Sequence, residues 1–599
     1  MHQYVKMNRS RLWPKGPHDH PRKYFPLPLG EPIASTGSPM FQPIGARPGT
    51  LTALSVGRSI AWVFGYFLIA IVLQILNGAY KADFSGFPDS PAHHVTSIMV
   101  TQYLREGISR SPVVFAEQYY LHYPKVAIGH WPPFYYLCAG IWGLMFGVGH
   151  ESYLIFMAML AGLLAAVLRV VVSRELGWWQ GAAAGVLLLV LPPVREGSQL
   201  MMLDTMIALL SLIAGCTLVR LLEKRTASGA VMFGLVASFA ILTKGTGVAL
   251  TMVPPIVVLL TRRWEVLRRW VFWLPAVVVV IVAGPWTVCT LDSVKDGWKY
   301  ELGWTYTWAA GKGFFWFLVD AAGPFLSLVA LYGIWLMIGR PFLRRAIQPV
   351  WAMLFALLIS TYIFQVIVPV SIEQRYLMAS FPSLAAFIIA GIADVLGRLG
   401  DRGWSRPTQM VVACAVMIVG VAAMRRPHRV HATEFGKLVE YVMARYANYP
   451  KLAILVCSDS TGEGVVISEL AAKVPTPGRY IVLRASKQLA KSDWMGGRYR
   501  VMFNDEESLK KYLASVPMTL IVVDQSVEAK PFMTHVLQVE STLAGGKGMW
   551  RLDSGWNMDE AKSPTKIDLY AIASEDYRIP TQVSVDMDTM LGRKLKLPN

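Results

Sequence analysis

The sequence predicts an α-helical polytopic membrane protein with a C-terminal extracytoplasmic α/β domain. Three observations carry this expectation. Of 599 residues, 54% are hydrophobic and only 16% charged, where a soluble domain carries about a quarter charged. Apolar runs near the length of about twenty residues that a membrane helix needs recur between residues 58 and 424. After Arg425-Arg426-Pro427 those runs stop, and short β-type segments alternate with helical ones.

The net charge of +18 would point to nucleic acid in a soluble protein. Here many of the cations sit in short loops between apolar runs, where they orient helices, so a nucleic-acid partner is not expected. The five cysteines, Cys138, Cys216, Cys289, Cys414 and Cys457, are scattered and mostly lie in apolar runs. They form neither metal-finger spacing nor a disulfide framework.

Residues 1–57 are rich in Pro, Gly and basic residues and read as a disordered basic cytoplasmic tail. The first apolar run, about 58–80, is too long and too far along to be a signal peptide and reads as the first span. A polar loop then fills 81–130, on the outer side if the basic tail stays inside. Downstream, four basic clusters follow apolar runs: 223–225 after 203–222, Arg262 to Arg269 after 248–261, Arg340 to Arg345 after 315–338, and Arg398 to Arg406 after 377–397. All four fall inside under one alternating scheme. The same scheme puts Asp204, the neighbourhood of Lys244, the loop 290–314, Ser371–Tyr376 and everything after about 424 outside. Between His130 and Asp204 the number of crossings must then be even. The runs 131–148 and 153–172 are counted as crossings, and 181–193 is too short to be one. The expectation is about eleven spans within 58–425, in a cell (inner) membrane, with the N-terminus cytoplasmic.

In residues 430–599 the β-type runs are Leu452–Cys457, Tyr480–Arg484, Thr519–Asp524 and Asp568–Ile572, with helical patterns at 434–446 and 506–514. The alternation predicts a small α/β domain. Ser458-Asp459-Ser460-Thr461-Gly462-Glu463-Gly464 is only a weak echo of a phosphate loop, and an accessory role is expected for this domain.

The stretch Asp83–Pro133 concentrates reactive groups: Asp83, Asp89, Glu106, Glu117, His93, His94, His122, His130 and Lys125. Loops this long are usually functional or disordered; its aromatics and lack of linker composition make this one read as ordered and functional. Ionisable groups at membrane helix ends are functional candidates by default. Asp83 and Asp89 are candidate general bases or metal ligands; the alternative for Asp89 is an N-cap, since Asp-Ser-Pro suits a helix start. His130, before Pro132-Pro133, suits an anion at a helix N-terminus or serves as an interfacial anchor beside Trp131. Lys244 in Leu-Thr-Lys-Gly either snorkels or holds an anion, and Arg375 in Glu-Gln-Arg-Tyr suits a phosphate. The aromatics of 298–308 are anchors or a clamp for lipid or sugar. Outward cations plus a carboxylate are what transfer from a lipid phosphate needs.

Phe-Pro-Asp-Ser-Pro-Ala-His-His, Trp-Pro-Pro-Phe-Tyr-Tyr, Leu-Thr-Lys-Gly and Gln-Arg-Tyr-Leu with a following Phe-Pro occur in that order. The ordered set resembles membrane glycosyltransferases of the GT-C class, nearest the protein O-mannosyltransferase and aminoarabinose (lipid A) transferase group. It covers about residues 58–425. The resemblance implies transfer of a hexosyl or pentosyl group from a polyprenyl-phosphate-linked sugar, with inversion, to a lipid, glycan or protein acceptor outside the bilayer. The family's acidic pair falls on Asp89-Ser90. Asp89 therefore inherits the base role, with Asp83 as its rival, while the missing Glu leaves a divalent metal open and no cofactor certain. His130 or Trp131, Lys244 and Arg375 would hold the donor phosphate. His93, Asp204, Trp304, Tyr306 and Tyr376 would line the donor or acceptor site. Two other classes compete: a secondary transporter, which predicts repeated halves and sites at mid-membrane, and a non-catalytic scaffold presenting the C-terminal domain.

Overall fold

The computed structural model describes residues 53–599 except 85, 127–128, 346, 428–432, 493–497, 526–532, 545–548, 558–565, 581–583, 588–592 and 597–599. The tail expected for 1–57 lies almost wholly outside the described residues. Helix α1 (Ala53–Leu76) opens the bundle, and the first loop that follows is itself helical, as α2 (Asp89–Gln102) and α3 (Pro112–His122). Then come α4 (Phe134–Phe146), α5 (His150–Leu176), α6 (Trp178–Val190), α7 (Pro192–Gly197), α8 (Asp204–Lys224) and α9 (Ala227–Ile241). A 3-10 stretch (Gly245–Met252) leads into α10 (Val253–Thr261), followed by α11 (Trp270–Val282), α12 (Gly284–Asp296) and α13 (Trp304–Ile334). The last are α14 (Arg340–Leu343), α15 (Pro349–Ile367), α16 (Phe381–Asp401) and α17 (Arg406–Ala422). Among the described residues, six helical stretches are long and apolar enough to cross a membrane, or seven if α11 and α12, bent by 53°, form one span. Shorter apolar helices supplement them.

The path of the helices between His130 and Asp204 differs from the sequence expectation. The Phe134 N–H at the start of α4 donates to the Leu242 carbonyl (2.9 Å), next to Lys244. Just past its other end, the Val148 carbonyl accepts from His94 Nε2 of α2 (3.0 Å). Helix α4 also touches the opening turns of α5, through Tyr135 with Met157 and Trp142 with Ser152. It therefore stays at the α2 end of the bundle. The run 181–193 instead returns. Gln74 Nε2 donates both to Leu154 O, early in α5 (2.9 Å), and to Ser198 O, just past α7 (2.6 Å). At the far end the Arg169 guanidinium lies 4.2 Å over the Trp62 ring. Helix α6 is short, but Pro192-Pro193 restart the helix as α7 and carry the chain back to the level of Gln74. A count of unbroken apolar residues cannot see a helix resumed across a break.

The segment 290–314, expected as a loop, is largely helical: α12 ends at Asp296 and α13 begins at Trp304. An unbroken helix from Trp304 to Leu343 would be about 60 Å long, twice the hydrocarbon thickness. Gly323 breaks it, with φ 71° followed by Pro324. A Cβ there would also sit 3.1 Å from the Ala423 carbonyl oxygen, so glycine answers both backbone and space.

The C-terminal part has the expected α/β character: α18 (Phe435–Arg445), β1 (Leu452–Cys457), α19 (Ser460–Lys473), β2 (Tyr480–Arg484), α20 (Ala485–Gln488), β3 (Ala490–Lys491), β4 (Arg500–Val501), α21 (Glu506–Ser515), β5 (Leu520–Asp524), α22 (Thr534–Ala544), β6 (Trp550–Asn557), β7 (Lys566–Ile572), β8 (Ser584–Met587) and β9 (Arg593–Lys596). Five strands form one sheet in the order β2-β1-β5-β7-β6. Strand β1 is parallel to β2 and β5, while β7 is antiparallel to β5 and β6. The strands β1 and β5 are buried throughout, as expected of parallel strands covered on both faces. This domain rests on the first loop. His94 Nδ1 pairs with Ser468 Oγ (2.5 Å), His122 Nδ1 with Tyr480 O (2.8 Å), and the Tyr123 hydroxyl donates to Val474 O (2.6 Å).

Candidate functional site

Four chain segments meet at the α2 end of the bundle, each delivering a charge from a helix terminus or the turn beside it. Asp89 lies in the first turn of α2. The N-cap is Pro88 and no side chain caps it, so the capping reading of Asp89 is corrected. Its Oδ2 accepts from Arg375 Nη2 at 2.9 Å, and its side chain is 29% exposed. Ser90 Oγ accepts from the Met201 N–H (3.1 Å), tying the start of α2 to the segment before α8. Arg375 Nε also donates to Glu373 Oε2 (2.6 Å), and the guanidinium sits 5.0 Å from the Phe87 ring and 5.1 Å from the Tyr376 ring.

A second ion pair lies beside the first. Lys244, held in extended conformation between α9 and the 3-10 stretch, donates from Nζ to Asp204 Oδ1 at 2.6 Å. Both side chains are largely buried. The Lys244 ammonium stands 4.4 Å over the Tyr376 ring, so that one phenol touches both cations. Asp204 Oδ2 is buried and has no hydrogen-bond partner among the described residues. His93, one turn after Asp89, pairs through Nδ1 with the Tyr136 hydroxyl (2.7 Å), and its ring packs 4.1 Å from Trp131.

Electrostatics separate these groups. Burial works to raise the Asp89 carboxyl, but Arg375 above all outweighs it and holds it below the usual carboxylate range. Burial drives His93 down to about 3 despite the neighbouring Asp89 charge, so its imidazole is neutral at neutral pH. The arrangement is an ionised carboxylate beside fixed cations, partly open to solvent.

Asp89, His93, Asp204, Lys244, Arg375 and Tyr376 are brought together. His130 borders them. Its ring packs edge-on against Trp131 (5.4 Å) and crowds Gly297, just after α12. Asp83 turns elsewhere: its Oδ2 accepts from the Thr433 hydroxyl and N–H, at the neck of the C-terminal domain. Trp304 is 79% exposed, and the Tyr306 hydroxyl donates to the Gln365 and Val368 carbonyls at the end of α15. Among the described residues neither is bonded to the charged cluster.

Sequence reasoning did not foresee the support behind Arg375. Arg425 donates to both oxygens of Glu196 (2.6 and 2.7 Å), to Asp320 Oδ2 (2.9 Å) and to Gln374 Oε1 (2.8 Å). Gln374 in turn donates to Phe317 O and Asp320. Arg425 thus clasps the residue next to Arg375. The signal was an acid at a helix end, Glu196, matched by a basic residue that reads only as a boundary.

Among the described residues no three or more His, Cys, Asp and Glu stand close enough to share a metal ion. Asp89 is committed to Arg375, and the position where a second acid would stand is Ser90, bonded to the chain before α8. These residues do not fit a divalent-metal site.

A family model described as dolichyl-phosphate-mannose-protein mannosyltransferase matches residues 130–288. That stretch holds His130, Asp204 and Lys244, and leaves out Asp89 and Arg375. No curated protein sequence matches the chain. Among solved structures, ArnT from Cupriavidus metallidurans in the apo state is similar at a TM-score of 0.52 and 16% identity, covering 87% of this chain and 99% of that one. ArnT bound to undecaprenyl phosphate gives 0.50 and 16%, covering 86% and 99%. The Archaeoglobus fulgidus oligosaccharyltransferase in complex with Zn and sulfate gives 0.50 and 13%, covering 86% and 73%. The chain has the GT-C fold, with a C-terminal α/β region.

Proposed function

We propose that this protein is a glycosyltransferase that moves a sugar from a polyprenyl-phosphate donor to an acceptor hydroxyl at the extracytoplasmic face of a cell membrane. The observation that carries this reading is the Arg375–Asp89 ion pair, set beside Lys244–Asp204 and partly open to solvent. The similarity to ArnT, which binds undecaprenyl phosphate, and to the mannosyltransferase family model supports it. The charges lie at helix ends, which counts against a transporter with sites at mid-span.

In the reaction Asp89 accepts the proton of the acceptor hydroxyl. The acceptor oxygen bonds to the anomeric carbon as the bond from that carbon to the phosphate oxygen breaks, and the electron pair leaves with polyprenyl phosphate. One displacement from the opposite face inverts the anomeric centre. Arg375 and Lys244 offset the charge developing on the leaving phosphate. The planar guanidinium suits two phosphate oxygens at once. Both cations are held by carboxylates in this structure, so the donor phosphate enters by exchange with Asp89 and Asp204. No step is assigned to a metal.

The sugar, hexosyl or pentosyl, and the acceptor, lipid, glycan or protein, are found by the same experiment. Purified protein is incubated with a lipid extract of its own membrane, and transferred sugar is identified by mass spectrometry. Transfer that requires polyprenyl-phosphate sugar supports the reading, and no transfer from any such donor contradicts it. Reporter fusions at residues 20 and 560 test the face; the proposal expects a cytoplasmic N-terminus and an extracytoplasmic C-terminal domain.

A further inference from the structure

The sheet of the C-terminal domain turns in opposite directions from β1, toward β2 on one side and β5 on the other. In open α/β sheets, ligands sit in the crevice beyond the carboxyl end of a strand placed this way. Here that position is occupied by the first loop. Lys125, 8% exposed, runs in and donates from Nζ to the Ser460 carbonyl (2.8 Å) and hydroxyl (3.2 Å) at the start of α19. Pro91, two residues after Asp89, packs on the next turn. A Cβ on Gly464 would lie 2.7 Å from Pro91 Cγ and 3.0 Å from Lys125 Cε, so glycine is what lets both approach.

Capping of α19 does not call for a cation there. The start of α19 is already capped by Asp459, which accepts from the Thr461 (2.9 Å) and Gly462 (2.7 Å) N–H groups. A positive charge at a helix N-terminus opposes the helix dipole. The nearby buried Glu463 gives Lys125 no hydrogen bond, since its oxygens take Arg484 Nε (2.7 Å) and the Ser486 N–H (2.8 Å) and hydroxyl (2.6 Å).

We propose that the C-terminal domain is a positioning element for the catalytic loop: the turn from β1 into α19 seats Lys125 and Pro91, and through them sets the place and charge environment of Asp89. Lys125 is a positioning residue and touches no reacting atom. The proposal rests on the base role given to Asp89 above. Burial, with Arg484, lowers the Lys125 ammonium to about 7, against the pull of Glu463, Asp89 and Asp459. Lys125 is in turn among the cations that hold the Asp89 carboxyl down.

The test uses the full chain with Lys125→Met, which keeps the stem and removes the charge, and Gly464→Ala, which presses on Pro91. Three quantities are read: hydrogen exchange, affinity for undecaprenyl phosphate, and sugar transfer against pH. The proposal expects faster exchange across Asp89–Gln102 in both variants and a turnover loss of about 10- to 100-fold from misplacement of the base. Lipid-phosphate affinity should stay within about two-fold, because Arg375 and Lys244 are left in place. In Lys125→Met the acid limb of the rate profile should move to higher pH, since the Asp89 carboxylate loses a cation. Unchanged exchange across Asp89–Gln102 overturns the positioning role, whatever the activity. Normal turnover and an unmoved acid limb in Lys125→Met overturn it as well. If Arg375→Ala leaves lipid-phosphate binding intact, the functional reading fails instead, and the exchange result still decides the positioning.

Discussion

The Arg375 guanidinium donates to Asp89 at 2.9 Å and to Glu373 at 2.6 Å, so the cation assigned to the donor phosphate is the cation that holds the assigned base. In the proposed mechanism phosphate and base therefore compete for one guanidinium. On that mechanism a donor that draws Arg375 toward itself loosens its hold on the carboxylate, and Asp89 should become a stronger base when the donor is present.

Replacing Arg375 with Ala removes charge-assisted bonds each worth about 1.5–3 kcal/mol. Undecaprenyl-phosphate affinity should fall by about 10- to 100-fold, since each 1.4 kcal/mol is tenfold. Arg375→Lys should recover little of it, because an ammonium cannot fork onto two oxygens while stacked between Phe87 and Tyr376. Titration of both variants with undecaprenyl phosphate checks this.

Lys244→Ala strands a buried Asp204 carboxylate, a loss of about 3–5 kcal/mol when one partner of such a pair is removed. The double variant Lys244→Met with Asp204→Asn should regain most of the thermal stability, yet bind undecaprenyl phosphate weakly. Melting temperature and affinity measured together separate the structural part from the binding part.

Acid should loosen the first loop. His93 and His94 are each pushed down to about 3 by burial, from an ordinary value of 6.5. The unfolded chain then binds more protons than the folded one between about 6.5 and 3, so stability falls as pH falls through that window. His94 donates from Nε2 to Val148 O and accepts at Nδ1 from Ser468, which specifies its neutral form. His94→Gln should be less stable at pH 7.5 and show a flatter decline of melting temperature between pH 6.5 and 4.5.

Arg425→Gln leaves Glu196 and Asp320 without their shared cation and releases Gln374. The expected cost is about 1–3 kcal/mol, read as a lower melting temperature. Because Gln374 precedes Arg375, the Michaelis constant for the lipid donor should rise more than turnover falls.

Much of the site is legible in the sequence, since a charge beside a long apolar run needs a reason to be there. That signal finds Asp89, Lys244, Asp204 and Arg375, which come together. It cannot say which way a side chain turns. Asp83 satisfies the same criterion and faces Thr433, and Trp304 and Tyr306 satisfy an aromatic criterion and serve the outside of α13 and the end of α15. The path of the helices is legible only in part, for a related reason. A break such as Leu191 before Pro192-Pro193 does not end the chain's return along the bundle, and an apolar run such as 131–148 can stay beside α2. The strands β1, β2, β5 and β7 are legible because β-branched runs between turns have few other uses. The docking of Lys125 is not, because nothing local marks a lysine that ends at Ser460.

The most direct measurement is of purified Asp89→Asn beside Asp83→Asn, for sugar transfer and for undecaprenyl-phosphate affinity. Asparagine keeps the size of Asp89 and removes its charge. Transfer by Asp89→Asn should fall by about 10²–10⁴, while the lipid phosphate binds at least as tightly as to the native protein, because Arg375 no longer shares its charge with a carboxylate. Asp83→Asn should keep its turnover. Near-normal transfer by Asp89→Asn, or a loss of lipid-phosphate binding to match the loss of transfer, would contradict the account.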